Sequence, residues 1–198
     1  MPAVAKILIF AGSIRSGAYS GKTADAAMKE MALQGADITR ISLADYPLPI
    51  MNQDFEAQNG VPENAIKLAR QISAHDGVLI ATPEYNGSIP PLLKNAIDWV
   101  SRVKNDGGRP LRPYPGKVVA LCSSSDGHFA GIRSINHLRA VLSHIGMEVI
   151  SAQVSVPEGA HAFDESGNFR EERLRKGMTR LCGSLIAHAA VMSTRGEP

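Results

Sequence analysis

The sequence predicts an α/β fold, a mostly parallel sheet with helices packed on both faces. Three observations carry that reading. Short, wholly apolar runs recur at Lys6–Gly12, Gly77–Ala81 and Lys117–Cys122, as expected of strands buried on both sides. Between them lie segments whose apolar residues repeat at helical spacing. Strand and helix then alternate along the whole chain, and this forces crossovers and parallel pairing.

Taken in order, the first strand is Lys6–Gly12, and Ala24, Ala27, Met28 and Met31 form the stripe of the helix after it. Asp37–Leu43 is more polar and suits an edge strand. Ala65, Leu68, Ala69 and Ile72 mark a second helix, followed by the Gly77–Ala81 strand. Leu92, Leu93, Ala96, Ile97 and Val100 mark a third helix. A long turn-rich loop, Lys104–Gly116, precedes the Lys117–Cys122 strand. Ile135, Leu138, Val141, Leu142 and Ile145 mark a fourth helix, Met147–Val156 a weaker strand, and Leu174, Met178, Leu181, Leu185 and Ile186 a fifth helix. The 198 residues suit one domain, 1–198, with residues 193–198 expected to fray.

Composition excludes several function classes. A net charge of +2 is too mild for a nucleic-acid footprint, and no block of like charge forms a tail. Cys122 and Cys182, the two cysteines, sit in apolar stretches with no ligand spacing, so they read as buried thiols and no metal site is expected. No membrane-length apolar run and no signal-peptide pattern at the start leave the cytoplasm as the expected location. The six histidines form no ligand pair. Only His128, in the loop after Cys122, is a candidate for ligand contact.

In a parallel sheet of this kind ligands bind at the carboxyl ends of the strands, so the loops after Gly12, Ala81 and Cys122 are the places to search. The first, Gly12–Gly21, is rich in hydroxyls and glycine, carries Arg15 and runs into a helix. It reads either as an anion-binding loop or as an ordinary Gly/Ser turn with Ser20 as helix cap. A dinucleotide-type Gly-x-Gly-x-x-Gly is absent. The run Ser16–Thr23 ends in Gly-Lys-Thr, yet Ser16 stands where a P-loop needs glycine and the strand ends too early. Lys22 is then a solvated residue.

The loop after the Gly77–Ala81 strand is more specific. In Thr82–Trp99 (TPEYNGSIPPLLKNAIDW), Pro83 stiffens the loop, and Asn86-Gly87 permits a turn with positive φ. Tyr85 offers an aromatic face, Ser88 a possible cap, and Pro90 and Pro91 fit a first helical turn. This segment resembles the signature of the NADPH-dependent FMN reductase family, which includes quinone, azo-dye and chromate reductases. Gly12-Ser13-x-Arg15, Tyr46-Pro-Leu-Pro, Asn52-Gln53-Asp54, Gly131-x-Arg133 and Leu138-Arg139 extend the resemblance to about Val149. Two departures stand out. Ala18 and Ser20 replace the Ser and Asn of many members, and Ala130 replaces the first of a Gly-Gly pair.

The resemblance implies a flavodoxin-like three-layer fold, with a five-stranded parallel sheet in the order 2-1-3-4-5. It implies FMN as cofactor, with NADPH or NADH as co-substrate. Ser13, Arg15 and Ser20 would take the phosphate. Pro83, Glu84, Tyr85, Asn86 and Gly87 would line the ring, with Ser123, Ser124, Ser125 and Gly127 beside it. Glu84 either touches the ring or braces its loop. Trp99 belongs to the core or to a subunit interface. Arg109 and Arg112 either grip an NADPH 2′-phosphate or are solvated. No side chain need act as catalytic acid or base. The implied activity is ping-pong electron transfer to a small acceptor, namely a quinone, an azo compound, a metal oxyanion or free flavin, by a homodimer or homotetramer. The alternative is a one-electron carrier of the flavodoxin type.

Overall fold

The computed structural model describes residues 4–193. Its main sheet has five parallel strands: β1 Lys6–Ala11, β2 Asp37–Arg40, β3 Gly77–Thr82, β6 Val118–Ser124 and β7 Glu148–Val156. Their order is β2-β1-β3-β6-β7, the expected 2-1-3-4-5 arrangement once the small hairpin strands β4 and β5 are set aside. β1, β3 and β6 are central and almost wholly buried, which is why each reads as a continuous apolar run.

Alternate residues of one strand feed two separate cores. Ile7, Ile9, Leu79, Ala81, Ala120 and Cys122 face α1 (Tyr19–Leu33) and α6 (Glu172–Ser193). Leu8, Phe10, Val78, Ile80, Val119 and Leu121 face α3 (Glu63–Ser73), α4 (Pro91–Ser101) and α5 (Ile132–His144). At Gly77 Ile7, Leu185 and Ala189 approach so closely that a Cβ would lie 3.0–3.1 Å from all three, and a side chain would require each of them to give way. Both cysteines are free and fully buried in the α1/α6 core.

Several expectations need correction. β2 stops at Arg40. Beyond it the chain turns into a 3-10 turn, Leu43–Asp45, capped by the Ser42 hydroxyl, which accepts from Ala44 N. A short helix, α2 (Gln53–Asn59), had no apolar stripe to betray it and buries nothing. Its start is fixed by Asn52, whose Oδ1 accepts from Asp54 N at 2.8 Å. The long loop contains a hairpin, β4 (Asn105–Asp106) with β5 (Arg109–Pro110), turning through Gly107 and Gly108 at φ of 56° and 82°.

Trp99 is core: it is fully buried, and its indole donates to the Pro49 carbonyl at 2.7 Å. Asn95 Nδ2 donates to the same carbonyl, and Asn95 Oδ1 accepts from Met51 N. Two residues of the Lys94–Trp99 segment thus pin the 49–51 stretch to α4. The fraying expected of 193–198 concerns residues that, apart from Ser193, lie outside those described.

Candidate functional site

The strands are parallel, so the loops after β1, β3, β6 and β7 all leave one edge of the sheet. The chain order reverses between β1 and β3, and a cleft opens there by construction. A cavity of about 170 Å³ occupies it.

The β1 loop forms the first wall. Gly12 N donates to Ala81 O, extending the sheet pairing by one residue. A Cβ on Gly12 would lie 3.0 Å from Leu93 and 3.3 Å from Pro83, so glycine here lets the β1 loop pack closely on the β3 loop and the start of α4. Ser13 Oγ accepts from Arg15 N, and Gly17 turns the chain at φ 68° into α1. Arg15 is exposed, with its guanidinium 5.8 Å from the Tyr19 ring. The helix cap is Ala18, which makes no side-chain bond. Ser20 is therefore not the cap but the second helical residue. Its side chain is buried, and its hydroxyl has no hydrogen-bond partner among the described residues. The first-turn amides of α1 also lack helical acceptors. Gly-Lys-Thr lies inside α1, with Lys22 exposed, so no phosphate loop of the triphosphatase kind exists here.

The β3 loop forms the second wall and is rigid. Tyr85 and Ser88 exchange two backbone hydrogen bonds of 3.0 Å around Asn86 (φ 50°) and Gly87 (φ 78°). Glu84 braces this loop. Its carboxylate, 7% exposed, accepts from Arg133 Nε at 2.7 Å and from Arg133 N at 3.1 Å. It thereby also supplies negative charge to the N-terminus of α5. Arg133 in turn stacks on Phe129, 4.9 Å from the ring centre. Ser88 does not cap α4, whose N-cap is Pro90; its hydroxyl meets His137 Nδ1.

The β6 loop closes the third side. Ser123, Ser124 and Ser125 have three different surroundings. Ser123 Oγ donates to Ala130 O at 2.6 Å, behind the cavity. Ser124 Oγ borders the cavity and is buried without a partner. Ser125 Oγ accepts from Gly127 N. Ala130 and Gly131, at φ 53° and 80°, turn the chain into α5.

The cavity thus collects Ser13, Arg15, Ser20, Pro83, Glu84, Tyr85, Ser124 and Ser125 from the residues singled out above. Asn86, Gly87 and Gly127 shape the loops without lining it, and His128 packs edge-on against Phe129 outside it. Ala18, Tyr19 and Asp126 line it without having been anticipated. Of these, only Asp126, a short acid directly after a serine run at a strand end, left a usable sequence signal.

Arg109 and Arg112 do not lie near this site. α4 carries the chain back across the sheet, so the 104–116 connection sits at the amino ends of the strands. Its Asp106 is forked by Arg70 on α3. Among the described residues no group of three His, Cys, Asp or Glu side chains could hold a metal ion, and no helix is long and apolar enough to cross a membrane.

Residues 5–161 match the NADPH-dependent FMN reductase family. The chain belongs to that family. It is 35% identical over 173 residues to an NAD(P)H-dependent FMN reductase of Pseudomonas aeruginosa, covering 86% of this chain and 88% of the relative. It is 37% identical over 147 residues to a quinone reductase of Escherichia coli, covering 74% and 73%. The structure of FerB, a flavoenzyme NAD(P)H:(acceptor) oxidoreductase from Paracoccus denitrificans, superposes with a TM-score of 0.79 at 25% identity, covering 96% of this chain and 99% of that one.

The donor set fits the cofactor of this family. A terminal phosphate asks for hydroxyls, free amides and a cation. Here two orphaned serine hydroxyls, the α1 N-terminus and Arg15 meet at one cavity.

Proposed function

We propose that this chain is an FMN-dependent NAD(P)H oxidoreductase that reduces a small acceptor in a ping-pong cycle. The observation that carries the reading is the convergence of Ser20 Oγ and Ser124 Oγ, both buried and unpartnered, on the cavity beside Arg15. Bound FMN would supply the redox chemistry, taking a hydride from the nicotinamide and passing electrons onward. The protein's own part is positional. Ser13, Arg15, Ser20 and the α1 amides would hold the phosphate. The Pro83–Gly87 turn, fixed by Glu84 and Arg133, would hold the ring edge with no reorganisation of its backbone.

The loops that would hold the ring leave the same edge of the sheet and would cover one face of the ring, leaving the other open. Reductant and acceptor would then use that face in turn. Quinones lead the candidate acceptors, ahead of azo compounds, metal oxyanions and free flavin. The unit 1–198 would act as one domain, as a homodimer or homotetramer, in the cytoplasm, where reduced nicotinamide cofactors are supplied. Trp99 no longer argues for an interface, being buried within its own chain.

Initial rates test the reading. Varying NADPH at several quinone concentrations should give parallel reciprocal plots, with excess quinone competing against NADPH. Intersecting lines would overturn the shared face, and equal affinity for riboflavin and FMN would overturn the phosphate site.

A further inference from the structure

We propose that the segment following β7, residues 157–162, is a positioning strap that sets the phosphate end of the cavity, and that Gly159 is its contact point. The inference rests on the FMN reading and goes beyond it to residues outside the three cofactor loops. On one side the strap is tied to the β6 loop. Gly159 N donates to Ser125 O at 3.1 Å, and Ala160 N donates to Asp126 Oδ1 at 3.1 Å. It is held in a tight turn by two bonds to the Glu158 carbonyl, from His161 N and Ala162 N, with Glu158 at φ 47°.

On the other side it presses on Tyr19, the first residue of α1. A Cβ built on Gly159 would lie 2.5 Å from Tyr19 Cγ, 2.6 Å from Cδ2 and 3.0 Å from Cβ. Turning the Tyr19 ring about its own axis moves Cδ2 but not Cγ, which lies on that axis. The 2.5 Å contact at Cγ is relieved only by a new rotamer about the Tyr19 Cα–Cβ bond or by a shift of the α1 backbone. Tyr19 adjoins Ser20 in sequence, its ring lies beside Arg15, and it lines the cavity. Bulk at 159 therefore displaces the Tyr19 side chain or, with it, the first turn of α1, and so disturbs the Arg15 and Ser20 side of the cavity relative to Ser124–Asp126. Absence of bulk at 159 is what lets the strap hold the two phosphate walls at their present separation.

The test titrates the full chain with FMN and, separately, with riboflavin, following flavin fluorescence. Gly159→Ala is expected to weaken FMN about tenfold or more, the effect of an overpacked contact, and riboflavin by less than about twofold. In a Tyr19→Ala background the same substitution should change FMN affinity by less than about twofold, because the two contacts below 3.0 Å have gone and the remaining one, 3.0 Å to Cβ, yields by a few tenths of an ångström. An unchanged FMN affinity in Gly159→Ala, an equal loss for both flavins, or a loss that persists without the Tyr19 ring would each overturn the strap. Should Gly159→Ala fail to fold, Tyr19→Ala alone decides, since it adds no volume. It should narrow the preference for FMN over riboflavin, and an unaltered preference overturns the proposal. A wild-type chain that shows no preference for FMN overturns the cofactor reading itself, a result distinct from any of these.

Discussion

The two edges of the sheet are built to opposite standards. At the amino edge polar groups close on one another. Lys6 N donates to Asp76 Oδ2, the Lys117 ammonium donates to the His75 carbonyl, Arg70 forks Asp106, and Arg102 Nε donates to both carboxylate oxygens of Glu56. At the carboxyl edge two buried hydroxyls, Ser20 and Ser124, are left without partners. Ile14, Tyr85 and Phe129 stand exposed there. Among the described residues the three non-glycine residues with positive φ, Asn86, Ala130 and Glu158, all lie at this edge. Strain and unmet hydrogen bonds are tolerated where a bound molecule can repay them. Ser73, a third buried unpartnered hydroxyl at the end of α3, has no such explanation in this structure.

Substitutions at the two edges should therefore fail in different ways. The largest effect is expected at Trp99. Trp99→Ala empties a fully buried site and removes one of the two hydrogen bonds to the Pro49 carbonyl, costing about 3–5 kcal/mol of stability in chemical denaturation. FMN affinity of the fraction that still folds should be little changed. Arg15→Ala should do the reverse. It should weaken FMN by about 1.5–3 kcal/mol, the range for a charge-assisted bond, and leave the melting temperature of the flavin-free chain unmoved. A loss of apo stability in Arg15→Ala would break the contrast.

Ser20→Ala and Ser124→Ala sharpen it. Each should weaken FMN by about 0.5–1.5 kcal/mol in calorimetric titration. Each should also leave the flavin-free chain as stable as the parent or more so, because a buried hydroxyl with no partner is removed. Opposite signs for binding and stability at one atom are the signature of a site held ready for a ligand. The smallest effect is expected from Arg70→Ala at the amino edge. Its ion pair with Asp106 is solvent-exposed, so the stability loss should be slight and should vanish in high salt, with flavin binding untouched.

Most of the framework was legible because both faces of the sheet bury apolar residues. The central strands then announce themselves as unbroken runs, and the helices as stripes. α2 was illegible for the converse reason: Gln53–Asn59 buries nothing, and only the Asn52 cap marks it. The three serines after β6 show the limit at the site. Composition singles out Ser123–Ser125, but strand alternation and loop geometry decide that Ser124 and Ser125 border the cavity while Ser123 bonds to Ala130 behind it. Of the two readings of Arg109 and Arg112 the solvated one fits, because both are exposed and a crossover helix takes their loop away from the cavity. The 11 residues of α4 carry the chain about 16 Å back to the other edge. Gly159 was invisible because the sequence does not reveal that its partner in space is Tyr19.

The two buried thiols have a consequence for chemical durability. Quinones are electrophiles that add to thiolates, and under the proposed function the chain would work among molecules able to arylate it. Thiolate character governs that addition. Burial pushes the Cys122 thiol up to about 12, and Cys182 is raised by burial and, less, by Cys122 and Glu30. Both sulfurs have no exposed surface, one facing the Ile80 carbonyl within the sheet and the other facing Ala27 on α1. With no other cysteine in its 198 residues, this protein offers such acceptors no sulfur nucleophile while it remains folded.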